Sequence, residues 1–496
     1  MHFRTSTFFY LIAALITALA LFFLFQPTKS LDSPIPSNAF SALNEKTSGS
    51  GAEILTPTAK ELPLSTEELI KQASTAESEK NWSLAVSSYS AAFQKDSNNI
   101  TILIKRGKAL MNLKKFDLAL QDFSKVLQSQ PKDRTVQLLL AEVRLHQIDS
   151  IDNKELIADA MARLGLVNPP NARSAFLECM IHVAEEADEK VEATCGSVAK
   201  NFANTQEQSV AQSFLDHLGI FSTFKDGNRT YLNTLQAKTM SEAGFYELSS
   251  ALLKHVLESN RNYRDAWTLL GYNYLVQNKY SLAQVALESA NSLDPSKAYI
   301  QFLLATTFDK LGNSAKAIPL YASALRNQYT PAEPLRRRLA TLYVDTSEYN
   351  LALEQYTKIL EETKATSPDD YIKPMWLYID IVKKPNEALL LARKIKLQFP
   401  TNAMSENMLG WAYQALKDTK NAETHLKLAI SMDATLAAPY LNLSKLYLAT
   451  QDLERAKQYA KDAYEKGKNT SVATAAAEIY NHILHQASQK NISTPH

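Results

Sequence analysis

The sequence predicts an all-α protein, a solenoid of helical hairpins preceded by one transmembrane helix. Three observations predict this fold: only 12 of the 496 residues are glycine, one residue pattern recurs about every 34 residues, and residues 8–25 are almost continuously apolar. Glycine disfavours helix interiors by roughly 1 kcal/mol relative to alanine, whereas the abundant Ala, Leu, Lys, Glu and Gln are good helix formers. A chain of this length is expected to contain several domains or a repeat array.

The apolar run FFYLIAALITALALFFLF begins at Phe8 and predicts a membrane anchor. About 20 apolar residues cross a hydrocarbon core of roughly 30 Å, and no charged residue lies between Arg4 and Lys29. We assign residues 1–6 to an N-terminal tail and residues 7–26 to the anchor. A cleavable signal peptide is the alternative, but its apolar core is usually about 7–15 residues long and ends in small residues. This run ends in Phe-Leu-Phe-Gln-Pro, which favours an uncleaved anchor.

Charges around the run predict which side of the membrane the rest of the chain occupies. The α-amine and Arg4 precede the run, so the positive-inside rule weakly favours a cytoplasmic N-terminus, although Lys29 follows closely. The repeats would then lie outside the cytoplasmic membrane, which in a Gram-negative cell means the periplasm. Residues 27–63 are rich in Ser, Pro, Thr and Asn and predict a flexible tether.

The clearest repeat unit begins near Asp265. Its recurring residues are Trp267, Leu270, Gly271, Tyr274, Ala283, Leu287, Ala290 and Pro295. The small residue in the first helix allows a close approach of the second helix, on which Ala283 is the tight contact, and Pro295 ends that second helix. The unit therefore predicts two antiparallel helices packed as a hairpin.

Further copies of this pattern occur on both sides of the unit. Their small or apolar contact positions include Ala73, Gly107, Leu140, Ala237, Ala305, Ala340, Ala388, Gly410 and Leu443. The pattern resembles the tetratricopeptide-repeat (TPR) family over roughly residues 64–470, and with the apolar run it resembles a membrane-anchored TPR protein of bacterial type. This resemblance implies an α-solenoid that binds other proteins.

The strength of the pattern divides the chain into segments. We assign 64–165 to an N-terminal TPR block, 166–229 to a divergent helical segment, 230–470 to a C-terminal TPR block, and 471–496 to a C-terminal helix and tail.

The only two cysteines, Cys179 and Cys195, lie in the divergent segment at equal distances from Ala187. The sequence EEADEK around Ala187 could form a hairpin turn, which would bring the two cysteines level on neighbouring helices. A disulfide and two ordinary small buried residues both fit this spacing.

The sequence shows no motif of an enzyme or a metal site. It lacks GxSxG, HExxH, CxxC and a Gly-rich phosphate loop. His482 and His485 share a helix face but have no further ligand candidate nearby. Charges nearly cancel, with 53 Lys and Arg against 52 Asp and Glu, which gives no electrostatic reason to expect nucleic acid. We expect no catalysis, no metal and no cofactor.

The TPR resemblance implies a concave groove lined by the first helix of each repeat. In the repeat frame, eight residues are expected to point into this groove: Tyr272, Tyr299, Phe302, Arg337, Lys373, Asn407, Trp411 and Lys445. Aromatic side chains in such a strip suit an extended peptide or a partner helix, because they give a large contact area at small entropy cost. Trp411 could instead pack between repeats. The run Arg336 to Arg338 is either a solvated helix face or a contact to an acidic peptide.

One functional class is disfavoured. TPR domains that clamp chaperone carboxylates use Lys, Asn and Arg at fixed positions, and the first repeats here hold Ile70, Ser74 and Lys105 at the corresponding positions.

The sequence predicts a membrane-anchored scaffold or adaptor that binds partner proteins in envelope assembly, secretion or surface polymer export. A cytosol-facing docking or import receptor of an organelle and an accessory subunit of a membrane enzyme complex are the alternatives.

Overall fold

The computed structural model describes residues 64–223, 228–362 and 366–492, and the chain divides into two compact units, one ending at Tyr329 and the other beginning at Thr330. Every regular element of the described residues is helical. The predicted tail, anchor and tether, residues 1–63, lie outside the described residues. Within the described ranges, no helix is both long and apolar enough to cross a membrane.

The described part of the N-terminal unit contains fifteen α-helices. They are α1 Thr66–Ser78, α2 Trp82–Lys95, α3 Ile100–Asn112, α4 Phe116–Ser129, α5 Arg134–Leu145, α6 Lys154–Gly165, α7 Ala172–Ala184, α8 Asp188–Asn201, α9 Gln206–Thr223, α10 Arg229–Glu242, α11 Tyr246–Ser259, α12 Arg264–Val276, α13 Tyr280–Leu293, α14 Ala298–Lys310 and α15 Ser314–Arg326.

The described part of the C-terminal unit contains nine more. They are α16 Ala332–Asp345, α17 Tyr349–Glu362, α18 Ile372–Trp376, α19 Pro385–Gln398, α20 Ala403–Ala415, α21 Thr419–Met432, α22 Ala437–Ala449, α23 Leu453–Lys466 and α24 Ser471–Ile492. The short α18 is preceded by a 3₁₀ turn, Pro368–Tyr371, and followed by a π-helical turn, Leu377–Ile381.

Most turns inside the hairpins share one backbone geometry. In the hairpin of α12 and α13, Asn278 has a φ of 59°, and the Lys279 amide donates to the Tyr274 carbonyl at 2.8 Å. In the next hairpin, Gly312 has a φ of 73°, and the Asn313 amide donates to the Phe308 carbonyl at 2.8 Å. A left-handed residue at this position satisfies carbonyl groups that a helix end leaves free, and it turns the chain into the second helix.

Three glycines of the first helices allow their hairpins to close tightly. A Cβ on Gly271 would lie 2.4 Å from Cγ of Leu287, and one on Gly410 would lie 2.5 Å from Cγ of Leu426. A Cβ on Gly107 would lie 2.3 Å from Cε1 of Phe123. The structure therefore has the close approach that the repeat pattern predicts, and a large side chain of the second helix fills the space above the glycine.

The divergent segment forms the centre of the N-terminal unit. Helix α7 packs against α6, α8, α9 and α11, and it buries residues on every side, including Phe176, Leu177, Met180 and Ile181. A helix that is buried all round carries no amphipathic stripe, which explains why the repeat pattern is lost there.

The contact of α7 with α11 accompanies a closure of this unit upon itself. The turn after α3 reaches the end of α12, where Nζ of Lys114 donates to the Val276 carbonyl at 2.8 Å. The loop after α5 reaches α11, where Nζ of Lys254 donates to the Asp149 carbonyl at 2.7 Å. Early and late hairpins of the N-terminal unit are therefore in direct contact.

Replacing Gly271 by alanine should destabilise the protein. The added methyl group would force Leu287 or the helix backbone to move, and overpacking of this kind typically costs about 1–3 kcal/mol. Gly196 is the matched control, because it is helical in the same unit and a Cβ there meets nothing within 4 Å. Gly196→Ala should stabilise by about 0.5–1 kcal/mol through helix propensity. Urea unfolding followed by circular dichroism measures both variants, and equal effects would contradict the close approach.

Candidate partner-binding surface

Four tyrosines and one phenylalanine of the N-terminal unit form a continuous aromatic row, which we call the tyrosine row. Its members are Tyr246 at the start of α11, Tyr272 in α12, Tyr299 and Phe302 in α14, and Tyr329 after α15. Tyr246 influences the pKa of Tyr272, and both Tyr272 and Tyr329 influence the pKa of Tyr299, so successive phenols are close together. The Phe302 ring stacks on the Tyr329 ring at 4.3 Å between centroids.

Three phenol groups of the row, those of Tyr246, Tyr272 and Tyr299, are partly enclosed in a recess. Burial raises the pKa of Tyr272 to about 12, and Tyr246 and Glu242 add to the effect. Burial also raises the pKa of Tyr246 and of Tyr299 above their usual values. Tyr272 and Tyr299 nevertheless keep part of their accessible surface. Dense surroundings together with retained accessibility are the properties of side chains on the floor of a concave surface.

Hydroxyl groups of the row are available to a ligand. Tyr246, Tyr272 and Tyr299 make no hydrogen bond to any described residue through their hydroxyls, in contrast to Tyr321, whose hydroxyl donates to Oγ1 of Thr306 at 3.2 Å. A partly enclosed donor without a partner is costly unless water or a ligand pairs with it.

A buried polar network fixes the helices that carry the row. Oγ of Ser241 donates to Oδ1 of Asn273 at 2.8 Å, and Nδ2 of Asn273 donates to Oγ of Ser249 at 2.8 Å. Asn273 is fully buried. These contacts join α10, α11 and α12 and define their register, since a satisfied buried network permits one arrangement.

The repeat frame identifies three members of the row and leaves out two. Tyr272, Tyr299 and Phe302 lie on the first helices of their hairpins, where the repeat frame points into the groove. Tyr246 and Tyr329 lie at the start and after the end of second helices, which that frame does not consider. The sequence signal that could have identified Tyr246 and Tyr329 is the recurrence of aromatic residues at the ends of hairpins.

The C-terminal unit contains the other five predicted groove residues, and one of them lies in the core. Asn407 is 3 % exposed, and its Oδ1 accepts from Nδ2 of Asn442 at 3.0 Å. The repeat frame placed Asn407 in the groove, but this hydrogen bond between the first helices α20 and α22 holds it inside.

The remaining predicted residues of the C-terminal unit differ in exposure. Trp411 is half-buried and packs against a core cluster that includes Met408. Arg337 pairs with Glu333 at 2.6 Å and lies 3.6 Å from Asp370. Lys373 is exposed on α18 and Lys445 is half-buried on α22.

The predicted repeat residues lie in the hairpin of α12 and α13. Leu270, Tyr274 and Ala283 are buried, and Trp267 is half-buried with Nε1 donating to the Arg261 carbonyl at 2.7 Å. Pro295 follows the end of α13.

Cys179 on α7 and Cys195 on α8 are joined by a disulfide, and both are fully buried. The turn between the two helices lies where the sequence EEADEK indicated, with the Ala187 amide donating to the His182 carbonyl at 3.0 Å. Among the residues that the structure describes, no group of three or more His, Cys, Asp and Glu side chains is arranged to hold a metal ion.

Comparisons with family models identify the repeats. Tetratricopeptide-repeat models match residues 268–334, 100–133, 407–436 and 437–465. The chain contains tetratricopeptide repeats. Repeats of this type imply a protein-binding scaffold or adaptor role, on a fold that is typically non-catalytic.

Solved structures similar to this TPR protein are themselves TPR proteins. The C-terminal part of one from Cytophaga hutchinsonii is 17% identical and has a TM-score of 0.37, covering 49% of this chain and 98% of its own. A second, from Parabacteroides merdae, is 19% identical with a TM-score of 0.31, covering 52% of this chain and 100% of its own. YrrB, described as having an unusual peptide-binding site, is 14% identical and has a TM-score of 0.27. The match covers 46% of this chain and 99% of the YrrB chain. No curated protein matches the sequence.

The enclosed phenols predict a loss of stability at alkaline pH. The pKa of Tyr272 is about 12 in the folded chain and about 10 in an unfolded one, so between these values the unfolded chain releases a proton that the folded chain keeps. Stability should therefore fall as pH rises through this window. The double variant Tyr272→Phe/Tyr299→Phe should lose less stability between pH 9 and pH 11, measured by urea unfolding. Tyr464→Phe is the control, because this tyrosine is 49% exposed. If the free energy of unfolding changed equally with pH in both variants, enclosure of the row would be contradicted.

Proposed function

We propose that this TPR protein is a membrane-anchored scaffold that binds an extended segment of a partner protein along the tyrosine row. The observation behind this proposal is that three neighbouring phenols, those of Tyr246, Tyr272 and Tyr299, lie in one recess and that their hydroxyls lack a partner among the described residues. Aromatic side chains with two rotatable bonds give a large contact area at small entropic cost, and they dominate many protein interfaces.

The row suits an extended segment better than a globular surface. Its members come from successive hairpins, from the start of α11 to the residue after the end of α15. An extended peptide presents alternating side chains and free backbone carbonyls along its length. Phenol rings would pack against the apolar side chains, and hydroxyls that remain protonated at neutral pH would donate to the carbonyls.

The repeats are proposed to lie outside the cytoplasmic membrane, as part of envelope assembly, secretion or surface polymer export. Support comes from the uncharged apolar run at residues 8–25 and from the cysteine pair. Disulfides persist in oxidising compartments and are rare in the cytosol, and Cys179 and Cys195 form one within a closed core.

Site-specific photo-crosslinking tests the row as the binding surface. A photoreactive amino acid in place of Tyr272 should crosslink the partner segment in cells, because the phenol faces the recess. The same amino acid in place of Val285, which is 59% exposed on the second helix α13, should crosslink the partner at least about tenfold less, as expected for a residue outside a hot spot. Mass spectrometry of the crosslinked peptides reads out both positions. Equal crosslinking at the two positions, or crosslinking only at Val285, would refute the row as the site.

The cysteine pair tests the compartment. Cells lysed directly into a thiol-blocking reagent should yield protein that the reagent does not modify until it is reduced. Reduction should lower the free energy of unfolding by about 3 kcal/mol, as expected for a loop of about 15 residues. The variant Cys179→Ser/Cys195→Ser separates loss of the bridge from effects of the reductant. Free thiols in freshly lysed cells would instead favour the cytosol-facing alternative.

A further inference from the structure

A cavity of about 570 Å³ opens where two hairpin turns of the N-terminal unit meet, and we call it the lysine pocket. It is lined by Lys114, Lys115, Phe116, Asp117, Leu118, His146, Gln147 and Lys279. The first five belong to the turn after α3 and the start of α4, the next two follow α5, and Lys279 belongs to the turn after α12. The pocket exists only because the early and late hairpins of this unit are in contact.

The positive charges of the pocket are held in place by the fold. Two contacts hold the ammonium group of Lys114. Its Nζ donates to the Val276 carbonyl at 2.8 Å and lies 5.1 Å from the centroid of the Tyr246 ring. Lys115 and Lys279 are exposed and form no ion pair with any residue that the structure describes. Both remain able to turn towards a ligand.

Two acidic groups lie near these lysines, and each makes a contact with another side chain. Oδ1 of Asp117 accepts a hydrogen bond from Nε2 of Gln147 at 2.8 Å. Oε2 of Glu247, behind the pocket, lies 2.9 Å from Nδ1 of His146. The His146 ring is itself fixed between Phe116 and Phe245, at 4.5 and 5.0 Å between centroids.

The fold therefore brings three lysines together with one carboxylate, Asp117, so the lining of the pocket carries a net positive charge. Burial of the ammonium group lowers the pKa of Lys114, although the residue as a whole is exposed; Glu247 opposes this effect and Lys279 adds to it. A bound anion would remove this repulsion, because opposite charge favours the protonated lysines.

We propose that the lysine pocket binds a phosphate group, carried either by a soluble phosphorylated molecule or by a phospholipid headgroup. Lysine ammonium groups are common phosphate ligands that act as point charges, and three lysines line this pocket. Phosphate would bridge the turn after α3 to the turn after α12 and so strengthen the closure of the unit.

The purified full-length protein tests the pocket by isothermal titration with inorganic phosphate at constant ionic strength. The wild type should bind phosphate, and Lys115→Gln/Lys279→Gln should bind it at least about tenfold more weakly, since each charge-assisted hydrogen bond contributes substantially to affinity. These two side chains are exposed, so the variant should keep its helicity in circular dichroism. Lys80→Gln/Lys310→Gln is the matched control, because both lysines are exposed in the same unit and lie outside the pocket.

Two outcomes would overturn the proposal. One is the absence of phosphate binding to the wild type, or equal binding by the two double variants. The other is binding of acetate as tight as that of phosphate, which would assign a carboxylate site instead. Titration with glycerol 3-phosphate and with glycerophosphoglycerol distinguishes the sources: tighter binding of the monoester supports a soluble ligand, and tighter binding of the diester supports a lipid headgroup.

Discussion

Burial of α7 on all sides is the constraint on which the arrangement of the N-terminal unit depends. Four helices pack around it, and one of them, α11, is far along the chain. The disulfide from Cys179 to Cys195 joins α7 to α8 inside this core. Helix α11 packs against α7, and in the same unit the turns of early and late hairpins contact each other around the lysine pocket.

The same arrangement gives the tyrosine row its chemical character. Regular hairpins align the aromatic residues of successive repeats, and the Ser–Asn network beneath them fixes the register of α10, α11 and α12. The enclosing protein raises the pKa of the phenols and keeps them as hydrogen-bond donors. In the proposed complex these hydroxyls would donate to the bound segment in place of water.

The C-terminal unit uses its polar residues differently. Glu406 is 2% exposed and is held by Lys396 and by Nδ1 of His425, the latter at 2.7 Å. Burial acts to raise the pKa of Glu406, but the hydrogen bonds from these two partners outweigh it and lower that pKa. With Asn407 bonded to Asn442 and Trp411 packed on the core, polar and aromatic groups of α20 serve internal packing. For this reason we assign the binding surface to the N-terminal unit.

The sequence by itself determined the hairpins, because their contacts are local. Gly271 and Leu287 are close along the chain, and their pairing depends only on two adjacent helices, so a fixed pattern of small and large residues predicts it. Membership of Tyr272, Tyr299 and Phe302 in one surface followed from the same frame. Only the tertiary structure decided the burial of Asn407, the place of Tyr246 and Tyr329 in the row, and the closure that unites Lys114 with Lys279. The burial of Asn407 depends on a contact with the next hairpin, and the closure depends on packing between hairpins far apart in sequence. Neither contact lies within one repeat, so the pattern of a single repeat does not contain it.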